Sequence, residues 1–280
     1  MSTKAESVHE KKRGADMTGS PLPLFDLTGK VVAVSGASRG IGLGIARAFL
    51  RQGASVAVGG LHQEETAAAA EQLRSEFASG PGRVSAVWGD ASNEAVARSF
   101  VEDTLDFHGR LDTLIANAGI DIIQPALACT PSQWDAIMAV NVRAGFQLAQ
   151  AAARIWTENP GPGRSVIFTS SIAGSVGIPT LAPYAASKGA INQLVKTLAI
   201  EWAEFDIRVN AIAPGYVESI MDGVTAHDDP ASDQRIARFT PLGRRARIEE
   251  IAAPFVFLAS AEASYITGAV LAVDGGYTAN

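Results

Sequence analysis

Cysteine is almost absent. Cys129 stands alone in 280 residues, so no intrachain disulfide and no all-cysteine metal site can form, and redox chemistry would have to come from a bound cofactor. A lone thiol suits a reducing, cytoplasmic setting. The four histidines, His9, His62, His108 and His227, are scattered with no H-x-x-x-H spacing and no cysteine partner, so the sequence predicts no catalytic metal. Positive charge is in deficit: 23 Lys and Arg against 29 Asp and Glu give a net charge of −6. That leaves no cationic stripe for a phosphate backbone, and nucleic acid is not the expected partner. No apolar run approaches the roughly 18 residues of a membrane span. Residues 1–20 contain Lys4, Lys11, Lys12 and Arg13 but no apolar h-region, unlike a signal peptide or an anchor. They read as a disordered tail, or as the product of a start upstream of Met17.

What is abundant is apolar residue, 47% of the chain, enough for one substantial core and a single domain over 21–280. From Gly29 onward, β-branched runs alternate with longer alanine-rich stretches, the pattern of a doubly wound α/β fold whose parallel sheet is covered by helices on both faces. Strands are expected at 30–35, 55–59, 83–88, 113–116, 165–169, 208–212 and 270–273. Thr130-Pro131 signals a helix start, a capping hydroxyl followed by proline at the first helical position, and that helix should run unbroken to about Trp156. The stretch 216–245 is rich in Asp, Arg, Thr and Gly without a sustained period. Long loops of this kind inside a compact domain are uncommon and often functional, so a substrate lid is expected there.

Two motifs carry chemistry. After the first strand comes Ser35-Gly36-Ala37-Ser38-Arg39-Gly40-Ile41-Gly42, a glycine-rich turn opening a helix, where backbone can approach a pyrophosphate and the helix N-terminus offers N–H donors. Its G-x-x-x-G-x-G spacing differs from the G-x-G-x-x-G dinucleotide fingerprint. Farther on, Tyr184 and Lys188 lie four residues apart, hence on one helix face, with Ser171 thirteen residues before the tyrosine. A free phenol with a pKa near 10 is a poor base at neutral pH; an adjacent ammonium is expected to stabilise the phenolate and bring that pKa down.

Taken together with Asn117-Ala118-Gly119, Asn141 and Pro214-Gly215, these motifs resemble the short-chain dehydrogenase/reductase family over about Leu27 to Tyr277. The resemblance implies a Rossmann fold with strand order 3-2-1-4-5-6-7 and a nicotinamide cofactor held by the turn residues Gly36, Ser38, Arg39, Gly40, Ile41 and Gly42. It further implies adenine contact at Asp90 and Ala91, a cleft lining at Asn117, Ala118 and Gly119, and carboxamide contact at Val217 and Ser219 after Pro214 and Gly215. Ser219 stands where threonine is commoner. Tyr184 would exchange a proton with the substrate oxygen while hydride moves to or from the nicotinamide. Ser171 would bond the same oxygen, Lys188 would also hold the ribose hydroxyls, and Asn141 would retain a water linking Lys188 to solvent. Asp274-Gly275-Gly276 matches a C-terminal turn of structural role. A homotetramer or homodimer is implied by the same analogy.

Cofactor choice turns on the end of the second strand. An acid about 20 positions beyond the turn holds the NAD ribose, whereas an arginine nearby accommodates the NADP phosphate. Here Gly60 replaces the acid, none follows before Glu64, and Arg39 lies in the turn, so NADP(H) is favoured over NAD(H). The substrate is read as a small polar alcohol or ketone: a sugar, polyol or sugar acid. A 3-oxoacyl thioester reductase and a non-catalytic dinucleotide sensor are the alternatives.

Overall fold

The computed structural model describes residues 24–218 and 230–279. The expected tail lies outside them, as do Ser219 and the rest of residues 219–229 of the expected lid. Among the described residues, seven strands form one sheet in the order β3-β2-β1-β4-β5-β6-β7. They are β1 (Val31–Val34), β2 (Ser55–Gly60), β3 (Val84–Trp88), β4 (Thr113–Ala116), β5 (Arg164–Thr169), β6 (Ile207–Pro214) and β7 (Val270–Val273). Every pairing is parallel. Helices α1 (Gly40–Arg51), α2 (Gln63–Glu76), α3 (Glu94–His108), α4 (Pro131–Met138), α5 (Gly145–Glu158), α6 (Ala182–Trp202), α7 (Pro230–Phe239) and α8 (Ile248–Ala259) complete the chain.

The strands carry no alternation because both faces are covered. The pleat sorts them into two cores. Val32, Val34 and Ile115 face one, shared with Ile45 and Phe49 of α1 and Phe255 of α8. Ala33, Leu114 and Ala116 face the other, with Phe100 of α3, Leu148 and Trp156 of α5, and Ile191 and Val195 of α6. β1 pairs with β2 on one side and β4 on the other, so the connection reverses direction there; ligands of doubly wound sheets bind at the carboxyl ends of such a switch point.

Three expectations need correction. First, β6 extends beyond 208–212 to Ile207–Pro214, because its ladder continues on both sides, to Arg164 at one end and to Val273 at the other. Second, the helix begun at Pro131 has the expected start, with Thr130 accepting from Gln133 N at 3.3 Å, but it is not continuous. A π-helical turn at Ala139–Ala144 separates α4 from α5. Such turns widen a helix locally and recur at functional sites; this one contains Asn141, whose amide reaches sideways to the backbone of Ile120. Third, 216–245 is not devoid of regular structure, since α7 occupies 230–239. Of its described side chains Ile236 is buried while Asp233, Gln234, Ala237 and Arg238 are exposed, and one apolar anchor is too little to register as a period.

Candidate active site

The glycine turn leaves β1 at the switch point and folds tightly against the end of β4. Gly36 has φ 63°, and a Cβ there would lie 2.8 Å from Cα of Ala118. At Gly42 a Cβ would stand 2.1 Å from the Gly36 carbonyl oxygen and 2.7 Å from Asn117 Nδ2. No other residue fits either position without moving backbone. Asn117 fastens the turn, donating through Nδ2 to the Ser35 and Gly36 carbonyls, both at 3.1 Å, and accepting at Oδ1 from Thr169 at 3.0 Å. Ser35 Oγ answers by accepting from the N–H groups of Asn117 and Ala118 at 3.0 and 3.1 Å. The result is a rigid backbone cradle at the amino end of α1, the geometry that binds a pyrophosphate.

One cleft of about 510 Å³ runs from this cradle in both directions. At its far end are Gly60, Leu61, His62, Glu65, Asp90 and Ala91. A Cβ on Gly60 would meet Thr66 Oγ1 at 2.1 Å, and that hydroxyl is held by donation to the His62 carbonyl at 2.6 Å. The local packing therefore accounts for the missing acid. Asp90 lines the cleft while accepting from Ser92 N at 2.9 Å, which holds its loop in shape.

At the other end Ser171, Tyr184 and Lys188 come together as expected. Ser171 leaves β5 in extended conformation, its Oγ accepting from Ala173 N at 3.2 Å and lying near enough to the Tyr184 hydroxyl to favour its ionised form. Tyr184 and Lys188 share one face of α6, and Lys188 Nζ lies 5.5 Å from the Tyr184 ring centroid. That nitrogen donates to the Thr169 carbonyl at 2.8 Å.

The electrostatics differ from the sequence expectation. Burial pushes the Tyr184 phenol up to about 12; Ser171 opposes this and Asp121 reinforces it. Burial also brings Lys188 down to about 8, opposed by Asp121. Desolvation is the largest influence on the phenol, and the lysine's nitrogen lies against the ring and the Thr169 carbonyl.

Asn141 stands behind the cleft. Its Oδ1 accepts from Ile120 N at 2.8 Å, and its Nδ2 donates to the Ile120 carbonyl at 2.9 Å and to Ser187 Oγ at 3.0 Å. Ser187 Oγ in turn donates to the Tyr184 carbonyl at 2.7 Å. This chain of bonds ties the loop after β4 to the turn of α6 that carries Tyr184. Gly36, Ser38, Arg39, Gly40, Ile41, Gly42, Asn117, Ala118, Gly119, Pro214, Gly215 and Val217 all line the cleft; Ser219 lies outside the described residues. Asp274 plays the structural part expected, accepting from Gly276 N and Thr278 N, each at 2.9 Å.

Sequence reasoning missed Asp121 and gave Arg245 only as the edge of a loop; both line the cleft. Arg245 Nε pairs with Asp233 Oδ1 at 2.9 Å. Nothing adjacent in sequence marks Asp121. Its significance appears only once Tyr184 and Lys188, far along the chain, are placed beside it.

The sequence model of a family described as enoyl-(acyl carrier protein) reductase matches residues 36–278. Galactitol 2-dehydrogenase (L-tagatose-forming) of Cereibacter sphaeroides is 40% identical over 259 residues, 91% of this chain and 97% of that protein. Glucose 1-dehydrogenase of Gluconobacter oxydans is 37% identical over 259 residues, 92% of this chain and 96% of that one. Among solved structures, a gluconate 5-dehydrogenase from Burkholderia cenocepacia in complex with NADP and tartrate superposes with a TM-score of 0.84 at 33% identity, covering 91% of this chain and 98% of its own. With the strand order, the glycine cradle and the Ser171, Tyr184 and Lys188 set already in place, the chain belongs to the short-chain dehydrogenase/reductase family, NAD(P)-dependent oxidoreductases that interconvert alcohols and ketones.

Proposed function

We propose that this enzyme is an NADP(H)-preferring dehydrogenase of small polyhydroxy alcohols and the corresponding ketones. The observation that carries the reading is a single cleft joining a phosphate cradle without an acid at Gly60 to Ser171, Tyr184 and Lys188. The names of the relatives, for galactitol and glucose, support the substrate class.

The residues present fit a dinucleotide: Gly36 and Gly42 leave space that any Cβ would fill, and the amino end of α1 opens onto the cleft. When bound, the nicotinamide cofactor would supply or accept the hydride. The chain's own part is to handle the proton. Tyr184, kept protonated by burial, donates its phenolic proton to the ketone oxygen in reduction; in oxidation it takes the alcohol's proton only after its own has been released to solvent. Ser171 hydrogen-bonds the same oxygen and holds the phenol in place. Lys188 brings positive charge to the oxygen on which negative charge develops. Asn141 positions the set through Ile120 and Ser187.

A panel assay following NADPH oxidation with ketoses, and NADP+ reduction with the matching polyols, tests this reading. Turnover confined to 3-oxoacyl thioesters would replace it with the second reading, favoured by the apolar wall of Ile172, Ile178 and Leu181. For the cofactor, Arg39 is exposed at the cleft edge and free to meet a ribose phosphate. Arg39→Ala is expected to remove a charge-assisted contact of about 1.5–3 kcal/mol, weakening NADPH roughly 10- to 100-fold with little change for NADH. Fluorescence titration of both cofactors reads this directly, and equal losses would remove the NADP preference.

Self-association is part of the proposal. Met138, Val142, Phe146 and Leu194 line a depression between the α4–α5 segment and α6, an apolar surface suited to a second copy in a homodimer or homotetramer. Sedimentation velocity giving a monomer at micromolar concentration would exclude it.

A further inference from the structure

We infer that Gln124 is a positioning residue: clasped to Gln133, it holds the strained backbone at Thr180 and so sets the substrate-facing wall of the cleft. The inference needs only the alcohol–ketone activity of the family and stands apart from the choice of a polyol as substrate.

Strain marks the place. Thr180 has φ 69°, a left-handed conformation that a β-branched side chain adopts only at a cost. Backbone of this kind persists where its surroundings hold it, and it concentrates at functional sites. Its neighbours Ile178 and Leu181 line the cleft together with Tyr184. Helix α6 starts at Ala182, with Tyr184 in its first turn. The Leu181 carbonyl accepts from Ala185 N at 2.7 Å, so the strained turn leads straight into the helical turn that carries the phenol.

What holds Thr180 comes from another part of the chain. Its carbonyl accepts from Gln124 N at 3.0 Å, in the loop that follows β4. Asn141 grips the same loop four residues earlier, at Ile120. The Gln124 end is fastened by its own side chain, whose Nε2 donates to Gln133 Oε1 at 2.7 Å. The orientation of this pair is determined. Gln133 Oε1 also accepts from Thr130 N at 2.9 Å and from Thr130 Oγ1 at 3.0 Å. A backbone N–H can only donate, so Gln133 turns its oxygen toward Thr130 and Gln124 must present its nitrogen. The capping box at the start of α4 thereby serves as an anchor as well as a cap. Without the clasp the Gln124 N–H is no longer fixed opposite Thr180, and the turn relaxes away from positive φ, carrying Ile178 and Leu181 with it.

The test pairs activity with an exchange measurement that needs no substrate. In Gln124→Ala, KM for galactitol with NADP+ is expected to rise roughly 3- to 10-fold, the worth of one neutral hydrogen bond. The kcat, and NADPH affinity by fluorescence titration, should change little. Amide exchange over 178–185 should quicken in the free protein. Thr180→Gly, added to Gln124→Ala, should recover most of both losses, because glycine takes a positive φ without strain and needs no clasp. General damage to the loop after β4 would not be relieved at position 180. Gln133→Glu keeps the accepting oxygen and should keep the wild-type KM and exchange. An unchanged KM or unchanged exchange in Gln124→Ala, or no recovery on adding the glycine, overturns the inference. If the wild-type enzyme oxidises no polyol, the proposed function falls and exchange alone decides the clasp: quickening that the glycine reverses supports it, and any other pattern overturns it.

Discussion

Tyr184→Phe is expected to lower kcat by roughly two to four orders of magnitude, the usual contribution of a positioned acid–base group, while the protein folds and binds cofactor as before. The substitution deletes one oxygen. The ring remains on α6 beside Lys188, and the cradle at Gly36 and Gly42 is built by other residues. What disappears is the phenolic proton of the group proposed to exchange it with the substrate oxygen. A folded variant with turnover within a few-fold of wild type would remove Tyr184 from the mechanism. The pH dependence of the wild-type enzyme gives a second reading. The phenol, at about 12, stays protonated throughout the neutral range, so it imposes no limb on ketone reduction there. Lys188, lowered to about 8, is charged below that value and loses its charge as the pH rises through it. Because kcat/KM reports groups of the free enzyme, it should be level on the acid side and decline above about pH 8. A profile level to about pH 10 would show that the lysine's charge is not used.

Much of this architecture was legible in the sequence because it is local. Buried parallel strands read as short apolar runs, and β4 (Thr113–Ala116) and β7 (Val270–Val273) lie where those runs predict. The glycine turn and the i, i+4 pair on α6 are likewise contained within a few residues. What escaped depends on partners distant in the chain. The π-helical turn at Ala139–Ala144 is a response to hydrogen bonds between Asn141 and Ile120, and nothing in its composition departs from an ordinary helix. The upward shift of Tyr184 follows from burial, which spacing does not encode. Asp121 looked like any loop acid until the fold brought two ionisable groups from α6 to it. The helix α7 escaped for the opposite reason: among its described side chains Ile236 alone is buried, too little to leave a trace in the pattern.

Asp112→Ala is expected to destabilise the protein by about 3–5 kcal/mol, the cost of stranding buried charge when one partner is removed. Asp112 is 1% exposed and joins the amino-terminal ends of three strands. Its Oδ2 accepts from Val31 N at the start of β1, at 2.9 Å. Arg110 grips both oxygens, Nε to Oδ2 at 2.8 Å and Nη2 to Oδ1 at 2.6 Å. Arg164, at the start of β5, approaches Oδ1 at 3.4 Å, and Lys30 lies 3.6 Å from it. Arg164 is the residue that suffers. Burial already depresses its pKa, with Asp112 as the opposing charge, and its Nη1 also donates to the Leu111 carbonyl. Without the carboxylate, three cationic side chains converge on a site with no anion, and Val31 N loses its side-chain acceptor. For a chain of this size the loss corresponds to a fall in Tm of roughly 6–15 °C. The whole knot lies at the opposite end of the strands from the cradle and Tyr184, so cofactor affinity measured well below Tm should not change. Removing the stranded partner as well, in Asp112→Ala/Arg164→Met, should recover part of the loss, since a buried pair replaced on both sides costs far less than one broken on one side. Urea unfolding of the wild type, both single variants and the double variant closes the cycle. A single-variant loss below about 1 kcal/mol, the level of an exposed ion pair, would show that the knot is solvated in solution and that the three strand ends are held by their ladders alone.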